Sequence, residues 1–193
     1  MKHTFLIILY LLTIAFPVMA NEVQSVENLL KEKTEAVLKI LKEKEIDEQA
    51  KKNKIMEIVG PIIDFELMAK LTLGKTNWGK LSGKQKTEFV DLFVERLKRS
   101  YLDKSSFYDD EIIVYKPGFL SGNKVHVPVE IISKNKPIEL LYKFYGSRKD
   151  WMAYDIEING VSLIKSYQSQ FSEVLKSGTA EDLLVNLKKP VEE

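Results

Sequence analysis

The chain has 193 residues, with 29 Lys and Arg against 28 Asp and Glu, two His and no Cys. A net charge this close to zero argues against nucleic acid as a partner, because phosphate binding needs a basic excess gathered on one face. Without Cys there are neither disulfides nor thiolate metal ligands, so the fold must stand on apolar burial.

Met1-Lys2-His3 leads into an apolar run from Phe5 to Leu12 and on to Phe16, closed by Val18-Met19-Ala20 before the polar Asn21. A basic start, a run of about a dozen apolar residues and a small-residue Val-x-Ala site predict a cleaved secretory signal over residues 1–20. The run is shorter than the roughly 20 residues a spanning helix needs. An uncleaved N-terminal anchor is the alternative. Residues 21–193 then form one domain, long enough to enclose a core. His3 leaves with the signal, so only His126 remains, too few for a His-rich zinc site and a single candidate for a Ser-His-Asp arrangement.

From Val23 to Lys44, Val26, Leu29, Leu30, Val37, Ile40 and Leu41 recur at helical spacing among Lys and Glu, an amphipathic helix. Lys42 to Lys54 reads as a solvated helical face and linker, or else as a docking surface. A short helical piece from Ile55 to Val59 breaks at Gly60-Pro61. Asp64 can cap a helix carrying Phe65, Met68, Ala69 and Leu71, with Gly74 ending it after Leu73. Ser82-Gly83-Lys84-Gln85 is a capping box for a helix to about Lys104, on which Phe89, Val90, Phe93, Val94, Leu97 and Tyr101 share a face.

After Tyr108 the period becomes alternating, which signals a sheet. Ile112 to Tyr115 is a short strand bounded by turns at Pro117-Gly118 and Gly122-Asn123. Val125, Val127, Val129 and Ile131 alternate with Lys124, His126, Pro128 and Glu130, and Ile138, Leu140, Tyr142 and Phe144 with Glu139, Leu141, Lys143 and Tyr145. With Asn135 in the turn between them, these two strands pair as an antiparallel hairpin. Trp151 to Ile158 is the last strand, with Met152, Tyr154, Ile156 and Ile158 on one face and Trp151, Ala153, Asp155 and Glu157 on the other, before Asn159-Gly160 breaks it. A helix from near Ser162 carries Leu163, Ile164, Tyr167, Phe171, Val174 and Leu175, and Thr179 caps a last short one through Leu187. The predicted class is α+β, a four-stranded antiparallel twisted sheet with helices packed around it.

Phosphate loops, G-x-S-x-G elbows and H-E-x-x-H motifs do not occur in the chain. His126 reads as a rim residue on the polar side of its strand, and Asp109-Asp110-Glu111 as a solvated turn rather than a metal site. Asp155 lies among Trp151, Tyr154 and Ile156, where a carboxylate must be hydrogen-bonded. It is either a buried general base or a structural acceptor near the helix start after Gly160. The apolar stripes alone cannot separate a filled core from a lined cavity.

The segment Phe65 to Gly74 with Trp78, the helix start from Leu81-Ser82 to Gln85 with Phe89 and Phe93, and the string Trp151-x-x-Tyr154-Asp155 followed by Gly160-Val161-Ser162 resemble the MlaC/Ttg2D family. These are periplasmic phospholipid-binding proteins of the toluene-tolerance or Mla pathway, and the similarity covers almost all of residues 23–188. The resemblance implies a non-catalytic carrier that holds acyl chains in an apolar pocket and shuttles phospholipid between an outer-membrane lipoprotein complex and an inner-membrane lipid ABC transporter with substrate-binding rings. It implies no cofactor and no metal.

On that basis the lining comes from Phe65, Met68, Leu73, Phe89, Phe93 and Leu97 on the helices and from Val127, Val129, Ile138, Leu140, Tyr142 and Ile156 on the sheet, with Val161 and Ile164 closing one end. The pocket is expected toward the upper part of the usual range of roughly 300 to 1,000 Å³. The Gly118–Gly122 loop and the Gly74–Gly83 connection are its expected gates. Many relatives carry an Arg where this chain has Gln168. Hopanoid cargo, an enzyme with Asp155 as base, and an envelope adaptor using its Lys/Glu-rich face are the alternatives.

Overall fold

The computed structural model describes residues 16–102, 111–133, 136–147 and 150–190. The expected signal sequence, the Asn135 turn, Asp109-Asp110 and the helix end at Lys104 fall wholly or partly outside these residues. Among the described residues, no helix is long and apolar enough to cross a membrane.

Four helices come first: α1 (Phe16–Lys42), α2 (Glu48–Val59), α3 (Phe65–Lys80) and α4 (Gly83–Leu97). Six strands follow, β1 (Ile112–Tyr115), β2 (Phe119–Ser121), β3 (Lys124–Ser133), β4 (Lys136–Gly146), β5 (Trp151–Ile158) and β6 (Val161–Ser162), and then α5 (Leu163–Ser177) and α6 (Ala180–Lys188). The caps at Asp64, Ser82 and Thr179 are those the sequence predicts, and Ser162 adds one it does not name. Asp64 accepts from Leu67 N at 2.9 Å, Ser82 and Gln85 form a reciprocal capping box, Ser162 caps α5, and Thr179 with Asp182 caps α6.

The class is α+β, but the sheet has six strands rather than four, in the order β1-β3-β4-β5-β6 with β2 also on β3, all antiparallel. The two extra strands are short. Pro117-Gly118 interrupts the edge, so β1 and β2 both lie along β3. Asn159 and Gly160 have φ of 49° and 78°, the paired positive values of a type I′ turn, and they fold the chain back into β6 instead of simply ending β5. Asn159 secures the turn by donating from its backbone N to Glu139 O at 2.8 Å and accepting at Oδ1 from Glu139 N at 2.9 Å.

A bulge corrects the expected faces of β5. Lys143 pairs with Asp155 and Phe144 with Ala153, leaving Tyr154 as the extra residue. The extra residue flips the parity, so Ala153 and Trp151 join Ile156 and Ile158 on the inner face while Met152 falls on the outer one.

Alternate residues of β1, β3 and β4 complete that inner face, and α1 lies across it. Val26, Leu30, Val125, Val127, Val129, Phe144 and Ala153 form one buried cluster. Glu27 fixes the helix to the interrupted edge by accepting from Gly118 N at 2.6 Å. A second cluster, with Met68, Phe89, Phe93, Tyr167, Phe171 and Leu187, holds α3, α4, α5 and α6 together beside the β5 edge. The two units meet where Ile63 and Asp64 run along β5, Asp64 N donating to Ala153 O at 2.9 Å.

Gly74 breaks α3 after Leu73, as the sequence predicts: with φ 70° and ψ 163° it is not helical, and a second helical segment runs from beyond it to Lys80. Of the two expected gates, the Gly74–Gly83 stretch opens on this break and is otherwise mostly helix, and the Gly118–Gly122 stretch contains β2.

Candidate functional site

Where α1 and α2 arch over the inner face of the sheet, a cavity of about 380 Å³ remains between them. Its helical walls are Leu30, Val37, Leu38 and Leu41 of α1, Ile55, Met56 and Val59 of α2, Phe65 and Met68 of α3, and Val94 and Leu97 of α4. Its floor is Ile113, Ile131, Tyr142, Phe144, Ala153 and Ile156, with Leu163 at the start of α5. The bulge at Tyr154 is what aims both Ala153 and Ile156 at this space. At about 380 Å³ the cavity is near the bottom rather than the top of the usual pocket range of roughly 300 to 1,000 Å³.

Past Leu97 the helix widens into a π turn, Lys98–Leu102, and Lys98, Tyr101 and Leu102 line the cavity from it. Such turns within α-helices recur at functional positions. This one is braced from behind: Arg99 donates to Leu187 O at 2.8 Å and Lys189 O at 3.2 Å, and Arg96 donates to Asn186 O at 2.7 Å. These bonds satisfy the last carbonyls of α6 and fix the turn against it. Burial pushes the phenol of Tyr142 up to about 12, with Tyr115 adding to the effect, and that of Tyr101 to about 12, with Tyr167 adding.

Of the residues predicted to line a pocket, Phe65, Met68, Leu97, Tyr142 and Ile156 face the cavity. Leu73, Phe89 and Phe93 sit in the helical cluster, where the Phe89 and Phe93 rings stack against each other and meet Phe171 edge-on. Val127, Val129 and Leu140 pack on the inner face of the sheet with α1. Ile138 and Val161 are 38% and 57% exposed, and Ile164 is half-buried. The wall supplied by α1 and α2 was not anticipated as lining. Its signal was the pair Val37 and Leu41, which predicts a helix with an apolar face but not what that face meets.

Asp155 lies across the sheet from this cavity, only 4% exposed. Its carboxylate accepts from Ser162 Oγ at 2.8 Å, Lys143 Nζ at 3.0 Å and Ile164 N at 3.2 Å, while Lys143 also donates to Glu157. Ties to a strand, a cap residue and a helix amide make it the acceptor that fixes the start of α5 to the sheet. His126 is on the same outer face, its ring 5.4 Å from that of Phe119. Burial, then Lys143, lowers its pKa below the usual imidazole value.

The MlaC protein family matches residues 31–189, from within α1 to just past α6. The chain belongs to the MlaC family. A solved structure of a phospholipid-binding protein from Ralstonia solanacearum, in complex with a phospholipid, has the same fold, with a TM-score of 0.76 at 24% sequence identity over 83% of this chain and 93% of that one. The family match covers every cavity residue named above except Leu30. In this MlaC-family chain Gln168 is exposed on α5 beside the kink of α3, its Nε2 3.7 Å from where a Cβ on Gly74 would stand.

Proposed function

We propose that this protein is a non-catalytic periplasmic carrier of phospholipid that holds acyl chains in the cavity between the α1–α2 arch and the inner face of the sheet. The observation that carries the reading is a wall made almost wholly of aliphatic and aromatic side chains. Membership of the MlaC family and the phospholipid held by the Ralstonia protein of the same fold support it. Residues 1–20 serve as the export signal and residues 21–193 as the carrier domain.

A two-chain lipid has on the order of 28 methylenes, worth roughly 0.8 kcal/mol each on burial or about 22 kcal/mol together. That exceeds the roughly 18 to 21 kcal/mol at which noncovalent affinities saturate, so the carrier does not collect dissolved monomers. It exchanges lipid where one apolar environment meets another, between an outer-membrane lipoprotein complex and an inner-membrane lipid ABC transporter with substrate-binding rings. A cavity this small takes in two chains only if α1 and α2 lift from the sheet.

Mass spectrometry of an organic extract of the purified protein tests the binding. Near-stoichiometric phospholipid is expected, and protein that is lipid-free after both native purification and incubation with phospholipid vesicles would refute the proposal. Radiolabelled lipid moving from donor to acceptor vesicles faster with the protein than without it tests the shuttling.

A further inference from the structure

We infer that Lys33 and Lys98 read the phosphate of the cargo, so that the carrier takes phospholipid in preference to a neutral lipid with the same acyl chains. This rests on the carrier reading above and adds a headgroup subsite to it. The polar side chains at the cavity wall are few: Lys33, Thr34, Lys98, Tyr101, Tyr142 and Glu111 among the described residues. Two are cations, supplied by different helices, and one is an acid, Glu111, which already accepts from Ser133 Oγ at 3.0 Å.

Neither lysine is committed to a strong partner. Lys33 pairs with Glu32 at 2.9 Å and Lys98 with Glu95 at 2.7 Å, and in both pairs the carboxylate is mostly exposed, at 68% and 56%. Exposed pairs of this kind contribute little and are readily exchanged. The lysine side chains are 28% and 34% exposed, the intermediate state in which the methylene stem covers apolar wall and the ammonium reaches water. A phosphate at that boundary accepts charge-assisted hydrogen bonds, for which Lys supplies a point charge. A diacylglycerol fills the same apolar space and offers the lysines nothing. Lys98 is moreover the first residue of the braced π turn, so its backbone is held in place before cargo arrives.

The test uses the full carrier domain stripped of lipid and incubated with vesicles containing equal amounts of phosphatidylglycerol and diacylglycerol of identical chains, after which the lipid held by the re-isolated protein is quantified. The wild-type protein is expected to favour the phospholipid. Lys33→Met/Lys98→Met, which keeps the apolar stems, is expected to hold a similar total of lipid with the preference reduced by about tenfold. Lys33→Arg/Lys98→Arg should restore it. An unchanged preference in the Met variant overturns the inference while leaving the carrier reading intact. Equal loss of both lipids also overturns it, because the lysines would then hold the cavity open rather than read a headgroup. A wild-type protein that takes up neither lipid removes the carrier reading and this inference with it.

Discussion

Asp155→Ala is expected to destabilise the fold substantially while leaving the cavity able to hold lipid. The carboxylate is 4% exposed and accepts from Ser162 Oγ, Lys143 Nζ and Ile164 N at 2.8, 3.0 and 3.2 Å. Removing one member of a buried ion pair costs roughly 3 to 5 kcal/mol, most of it from the charge left behind. Lys143 retains Glu157, which lowers that cost, while the stranded hydroxyl and amide add about 1 to 3 kcal/mol each unless water reaches them. A loss of about 3 to 4 kcal/mol results, or a melting temperature lower by about 10 °C for a chain of this length. Asp155→Asn keeps one acceptor oxygen, for either the Ser162 hydroxyl on Oδ2 or the Ile164 amide on Oδ1, and should lose less. Urea unfolding followed by circular dichroism measures the first quantity, and lipid extraction from the folded variant measures the second. An Asp155→Ala protein within about 1 kcal/mol of wild type would refute the anchoring role. A catalytic base predicts the opposite pattern, unchanged stability with turnover lost in Asp155→Asn.

Ile156→Glu places a carboxylate in the cavity floor and is expected to abolish co-purified lipid, whereas Leu140→Glu, on the same inner face but outside the cavity lining, should reduce it less; equal losses by mass spectrometry would detach lipid binding from this cavity. The phenol of Tyr142 is pushed up to about 12 by burial, against roughly 10 when unfolded, so the stability it contributes is full below pH 10 and lost as pH rises toward about 12. Urea unfolding at pH 9 and 11 should show a smaller alkaline loss in Tyr142→Phe, with the remainder from Tyr101 and Tyr145, whose phenols are also raised to about 12; an identical loss in both proteins would exclude Tyr142 as a source.

What was legible in the sequence was local. Ser82 with Gln85, Asp64 and Thr179 each predict a helix start because a side-chain acceptor three residues ahead of an amide is a contact within one turn, and all three caps form. The pairing of β3 with β4 is legible for the same reason, both strands alternating without interruption. The faces of β5 were not. Within Trp151 to Ile158 only Asp155 to Ile158 alternates, and the extra residue at Tyr154 belongs to the pairing with β4, with Ile63 and Asp64 on the other edge, neither of them near in sequence. A strict period of two therefore placed Ala153 with Asp155, and the bulge placed it with Ile156.

The part of the cavity wall that α1 and α2 supply escaped prediction for a related reason. Phe89 and Phe93 have the stronger apolar signal and are completely buried, their rings packed against Phe171 and Tyr167, and side chains that satisfy one another leave no room for cargo. Leu38, Leu41, Met56 and Val59 have the weaker signal, and they remain only partly buried although apolar and set between layers. Close packing in an ordinary core would have covered them. Sequence periodicity records which face of an element is apolar, whereas a binding cavity requires two apolar faces held apart. Here that separation is set by structure distant from the cavity chain: the Glu27 to Gly118 bond fixes α1 to the sheet edge, and Arg96 and Arg99 fix the end of α4 to α6.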